Sequence, residues 1–218
     1  MFGKILDNQN PFWQYMGRLF DAVMVNLLWL ICSLPVFTVG ASTAAAYTVL
    51  IAKKRDKAGQ TTALFFQAFR DNFSYGTLGF LLFGAALAFL CFDLWYFAST
   101  GTWAAAVLVA LVLLIANLIS PWFFIVTAIF RNTFKNTLAN ATILALRHPF
   151  LSLGMLLINL TMIALGAISL LYYPVLFMVV LLLGFGVCAF FHIELFYPLF
   201  SPALEDEAPK NDAKKDRS

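Results

Sequence analysis

The stretch LFDAVMVNLLWLICSLPVFTVGASTAAAYTVLIA, Leu19–Ala52, decides how this chain is organised. It is apolar for roughly 34 residues, whereas one transmembrane helix needs about 20. That is too long for one ordinary span and too short for two of standard length. Its middle, 34–40, reads as a break. Pro35 lacks an N–H and biases Leu34 away from helix. Gly40 allows backbone conformations that other residues resist, and Thr38 or Ser42 can cap the helix that follows. Two readings stay open. In the preferred one the stretch is a hairpin, with a helix from about Pro11 to Ser33, a turn at Pro35–Gly40 on the outer surface, and a second helix from Ala41 to Arg55. In the other it is a single long span broken at membrane depth, which would make Pro35, Thr38 and Gly40 the best candidate for a site.

The rest of the chain sets the class. Of 218 residues, 62% are hydrophobic and 11% charged, against about a quarter charged in soluble domains. Further apolar runs at 75–97, 103–130, 150–172 and 175–200 are continuous rather than alternating, which excludes a β-barrel. The expectation is an all-α, polytopic transmembrane helical bundle of five to six membrane segments arranged as hairpins, forming a single domain over 1–200. A charged tail at 201–218 has too little apolar surface to fold. Within the segment TTALFFQAFRDN, 61–72, Leu64, Phe65, Ala68, Phe69 and Asn72 recur at helical spacing opposite Gln67, Arg70 and Asp71. This predicts a short amphipathic helix lying on the membrane surface. A brief match, Ala68-x-Arg70 with Phe73 against Ala145-x-Arg147 with Phe150, places an arginine before each of two spans.

Lys and Arg concentrate in the loops 53–70 and 131–148, while the links at 98–102 and 172–174 carry none. The positive-inside rule therefore predicts cytoplasmic basic loops, a cytoplasmic C-terminal tail and, with the hairpin, a cytoplasmic N-terminus. The N-terminal residues lack the compact apolar core of a cleavable signal. The net charge of +3 fits loops facing an anionic leaflet, not nucleic-acid binding.

Polar residues inside the apolar runs are the candidates for function or for helix pairing: Asn26, Asn117, Asn159, His192 and Glu194. Asparagine in a membrane helix usually bonds a neighbouring helix. His192 and Glu194 stand two apart, so they point to different sides of a helix. Glu194 is expected to pair with a cation such as Arg131 or Arg147. Ser120 and Pro121 should break the third run, with the serine hydroxyl helping the freed backbone. The tryptophans Trp13, Trp29, Trp95, Trp103 and Trp122 are expected mostly at the interfaces. No phosphate loop, zinc-protease motif or nucleophile elbow occurs, and Cys32, Cys91 and Cys188 are scattered with no C-x-x-C pair. No catalytic, cofactor-binding or metal-binding residues are expected, and an intramembrane enzyme is the least supported class.

The N-terminal third carries a resemblance. NPFWQYMGRLFDAVMVNLLWLICSLPVFTVGASTAAAYTVL followed by FFQAFRDNF resembles the YesL family of bacterial membrane proteins, most specifically in Asn26, Leu27, Trp29, Leu34, Pro35, Thr38, Gly40, Phe66, Phe69, Asn72 and Phe73. The match runs from Asn10 to about Phe73; beyond it only hydropathy and length agree. The resemblance implies a bacterial plasma-membrane protein of unknown activity, often encoded beside carbohydrate ABC importers, and it supplies no catalytic residues. Two functions follow as expectations. One is an accessory or regulatory partner of such an importer, or a self-associating protein, whose small-residue run GASTAAA would allow close helix approach. The other is a small transporter or channel with its site at the broken helices.

Overall fold

A computed structural model describes residues 11–55 and 59–206. The first long apolar stretch is two helices. α1 (Pro11–Cys32) and α2 (Val39–Lys54) are joined by a turn that includes a short 3-10 segment at Val36–Thr38. They run antiparallel: Asp21 in the first half of α1 lies 3.5 Å from Lys53 at the end of α2, and Trp29 Nε1 donates to Thr43 Oγ1 at 3.1 Å farther up the pair. Leu34, Val36 and Phe37 project from the tip of this hairpin.

The chemistry of the turn differs from the expectation in two ways. Thr38 does not cap α2 with its side chain. Its hydroxyl instead lies 2.5 Å from the carbonyl of Cys32, one of those α1 leaves open at its end, and 2.6 Å from that of Pro35 in the turn. Ser42 turns back to the Thr38 carbonyl at 3.1 Å. Gly40 is an ordinary helical residue, and its value is its size. A Cβ there would collide with the carbonyl of Gly76 and with Phe80. The glycine that does adopt a positive φ, 74°, is Gly101, in the link between the next two spans.

The remaining elements are α3 (Thr61–Asp71), α4 (Phe73–Ser99), α5 (Trp103–Ile129), α6 (Phe134–Arg147), α7 (Pro149–Tyr172) and α8 (Pro174–Asp206). The 3-10 turn with α2, and α4, α5, α7 and the 174–200 part of α8, have the length and composition of membrane spans, and α1 adds a shorter apolar segment at Phe20–Cys32. At 1.5 Å per residue the 27 residues of α4 or α5 reach about 40 Å, enough to cross a core of about 30 Å. The fold is an all-α polytopic bundle.

Two boundaries differ from the sequence reading. The basic loop at 131–148 contains α6, a 14-residue amphipathic helix with Thr137, Ala141 and Ala145 buried at four-residue spacing. Four-residue spacing with small and hydroxyl residues gives a weak apolar signal, which is why hydropathy passes over it. α8 continues to Asp206, six residues into the stretch read as tail; residues 207–218, Asn10 and the side chain of Trp13 lie outside what the structure describes.

α2 occupies the middle of the bundle. It packs against α1, α3, α4, α5 and α8, while α7 closes the ring between α5 and α8. Two thirds (67%) of the α2 window is buried, against 6–17% for the other spans. Its composition explains this. Ala41, Ser42, Ala44, Ala45 and Ala46 let neighbouring backbones approach closely, which is the main source of helix association where lipid removes the hydrophobic drive. The GASTAAA run is therefore used within the chain. Outer faces of α5, α7 and α8 present Leu108, Ile115, Ile163, Leu171 and Val175 outward, as lipid-facing surfaces do.

Candidate functional site: a buried polar core and a cleft at the basic end

Asn26, on α1, is fully buried and grips α8. Its amide Nδ2 donates to the carbonyls of Leu182 at 2.6 Å and Leu181 at 3.2 Å, while Gly186 N–H donates to its Oδ1 at 2.7 Å. The side chain thus takes both partners of the Leu182–Gly186 rung of the α8 ladder. A Cβ on Gly186 would strike the Ala22 carbonyl, so this contact needs glycine.

A second polar cluster lies where α2, α7 and α8 meet. Tyr47 Oη and His192 Nδ1 are 2.7 Å apart, and His192 Nε2 lies 3.2 Å from the Met155 carbonyl. A carbonyl can only accept, so Nε2 carries the proton and Nδ1 accepts from the tyrosine. Cys188 Sγ, 3.8 Å from His192 Nε2, donates to Asn159 Oδ1 at 3.1 Å. The cluster runs donor to acceptor and ties three helices together. Nearby, Trp122 is fully buried and donates to Ser152 Oγ at 2.8 Å. Of the tryptophans expected mostly at the interfaces, Trp122 thus packs inside the bundle, while Trp95 and Trp103 are exposed.

Glu194 does not pair with Arg131 or Arg147. Its partner is Lys54 at the end of α2, 2.5 Å away, and the same ammonium sits 4.7 Å from the Tyr197 ring centre. The sequence reading missed Lys54 because it assigned the KKRDK run to a solvated loop. On the same end Thr61 Oγ1 donates to Asp21 at 2.8 Å, fixing the start of α3 against α1.

Arg131, just after α5, bonds Asp71 at the end of α3 at 2.8 Å. The pair stands across a cleft of about 390 Å³, which is bounded by the α3–α4 corner and the α5–α6 corner. Its walls include Asn72, Tyr75, Thr127, Asn132 and Thr137. α3 reaches it with its C-terminal end and α6 with its first turns, but the two helices share a pattern. Each buries an alanine (Ala68, Ala145), exposes an arginine in its last turn (Arg70, Arg147), and leads through one residue into a span. A cation in the last turn also complements the helix dipole. The short sequence match thus marks equivalent positions in the fold.

The other candidates scatter. Pro35 and Thr38 form the hairpin tip, which packs against α4 beside Gly76 and Phe80 and does not line the cleft. Asn117 donates to its own helix at Leu113. With Ser120 it lines a shallow groove of about 150 Å³ between α4 and α5. Pro121 is buried in α5, where its missing N–H leaves the Asn117 carbonyl without a helical donor.

These features define a multi-pass helical membrane protein with a polar core and a cleft at its basic end. Residues 22–94, which run from α1 through most of α4, match a family described as "Protein of unknown function, DUF624". No curated protein and no solved structure matches the chain.

Proposed function

We propose that the chain is a non-enzymatic protein of a bacterial plasma membrane, an accessory or regulatory partner of a carbohydrate ABC-type uptake system. Its basic loops and both termini would face the cytoplasm. The observation that carries this reading is that the end of α3 and the start of α6 both border one cleft, at the end of the bundle where the basic loops lie. Their outward faces mix Phe66, Gln67, Arg70, Asn140, Ile143 and Leu146. A surface of mixed apolar and charged side chains, held on a rigid bundle, suits contact with another protein's cytoplasmic parts. The resemblance to the YesL family supplies the class of partner. The second reading, a small transporter or channel, is favoured by the groove at Asn117 and Ser120 beside Pro121, although α5 runs through that proline unbroken, contrary to the expected break.

The test is purification of the full chain in mild detergent with the candidate importer permease, alongside solute flux in liposomes. The accessory reading expects the permease to be retained and the chain alone to be silent. Robust flux from the chain alone, with no permease retained, overturns it in favour of the second reading.

A further inference from the structure

The basic-end cleft has a chemical polarity that selects a ligand. At its mouth stand one guanidinium, Arg131, and one carboxylate, Asp71. They neutralise each other, so neither a simple anion nor a simple cation gains from net charge. Their mutual bond is an exposed one, with the arginine side chain 89% accessible. Such pairs contribute only about 0–1 kcal/mol, so a ligand that offers both charges can replace the bond at small cost.

Three polar side chains of the wall, Thr127, Thr137 and Asn72, spend their donors within the protein. Thr127 and Thr137 each direct the hydroxyl proton to a carbonyl of their own helix or its cap, Phe123 at 2.8 Å and Thr133 at 3.1 Å. What those oxygens still offer the cleft is lone pairs. Asn72 likewise turns its amide N–H groups to Ala68 and Thr48. With Asp71, this part of the wall suits a group rich in N–H donors, and a primary ammonium has three. Arg131, with its fork of donors, suits a phosphate at the rim. The cleft also lies at the ends of two 27-residue apolar helices, α4 and α5, where a crossing of a bilayer core of about 30 Å would bring lipid headgroups.

We propose that this cleft binds a phosphoethanolamine group, its ammonium directed to Asp71 and the threonine and asparagine oxygens, and its phosphate to Arg131. The group can come from a phosphatidylethanolamine headgroup or from a soluble phosphoethanolamine ester. A trimethylated ammonium offers no N–H, and a phosphatidylglycerol offers no cation, so both fit less well. This assignment goes beyond the accessory role and does not depend on it: it requires no importer, so either can fail alone.

The experiment uses the full chain in lipid nanodiscs and native mass spectrometry to compare retained phosphatidylethanolamine, phosphatidylcholine and phosphatidylglycerol. Binding of glycerophosphoethanolamine to the detergent-purified chain is measured in parallel by calorimetry. The expected result is about tenfold preference for the ethanolamine lipid, the equivalent of one charge-assisted hydrogen bond. Asp71→Asn should reduce that lipid to the level of phosphatidylcholine, and Arg131→Gln should lower retention of every phospholipid. Calorimetric binding of glycerophosphoethanolamine as tight as that of the lipid names a soluble source; lipid preference without it names the headgroup. Equal retention of the three lipids by the unaltered chain, with no heat from the soluble ester, overturns the proposal. That ranking needs no variant, so a variant that fails to fold leaves the test intact.

Discussion

The Oδ1 of Asn26 accepts the backbone N–H of Gly186 at 2.7 Å, so a side chain of the first helix completes the hydrogen-bond ladder of the last. Helices distant in sequence are thereby locked at a defined depth, because the amide fits only where the α8 rung presents one carbonyl–amide pair.

Asn26→Leu should therefore destabilise the protein by about 2–4 kcal/mol, since buried backbone groups lose their partners. Asn26→Asp, which cannot donate to Leu181 or Leu182, should be at least as harmful. Reversible unfolding in mixed detergent and sodium dodecyl sulfate measures both; a change below about 0.5 kcal/mol, the level of a neutral surface substitution, would show that the rung closes without the side chain.

The Gly40–Gly76 approach makes an equally sharp contrast. Gly40→Val should cost about 1–3 kcal/mol or more through overpacking, as backbone rather than a flexible side chain stands in the way. Gly84→Ala, also on α4 but with nothing within 4 Å of the added Cβ, should be neutral or slightly stabilising. Thermal aggregation midpoints of the two variants, read side by side, check the prediction.

Tyr47→Phe should remove the donor to His192 Nδ1 and leave a buried acceptor unmet, a loss of about 1–3 kcal/mol. His192→Leu alone should harm in the same direction. The double variant should lose less than the sum, with a coupling of about 0.5–3 kcal/mol for groups in direct contact. Strict additivity in a double-mutant cycle would show that the pair does not act as a unit.

Sidedness can be read by thiol labelling in a background where Cys32, Cys91 and Cys188 are replaced by alanine. Single cysteines at Gln67 and Asn140, on α3 and α6, should react from one side of the membrane. Cysteines at Ser99 and Tyr173, at the far end, should react only from the other. Labelling of Gln67 and Asn140 from opposite sides would break the topology described above.

Much of this architecture was readable from residue order alone. A run of roughly 34 apolar residues interrupted at Leu34–Pro35 left a hairpin, the preferred reading, and a single broken span, and the antiparallel α1 and α2 decide for the hairpin. The amphipathic α3 was legible because Phe65 and Ala68 alternate with Gln67, Arg70 and Asp71 at helical spacing. What was not legible depended on contacts across the chain. Nothing near Glu194 names Lys54 as its partner, some 140 residues earlier in sequence. Trp122 looks like any interfacial tryptophan until Ser152 is placed beside it. Gly40 looked like a hinge because glycine serves both torsion and size, and only the neighbouring Gly76 tells which. The cleft itself joins two loops whose polar residues are unremarkable in isolation.

The central place of α2 has a consequence for how the molecule is made. Apart from α1, its partner in the hairpin, the helices packed around α2 (α3, α4, α5 and α8) all come later in the chain, the last of them at its far end. During synthesis the first hairpin therefore waits in the bilayer with its serine, threonine and alanine face against lipid, a poor solvent for hydroxyl groups except where, as at Ser42, Thr43 and Thr48, they bond their own helix or its cap. The newborn hairpin carries its own provisional satisfaction, and its envelopment by α4, α5 and finally α8 is the step that commits the assembly.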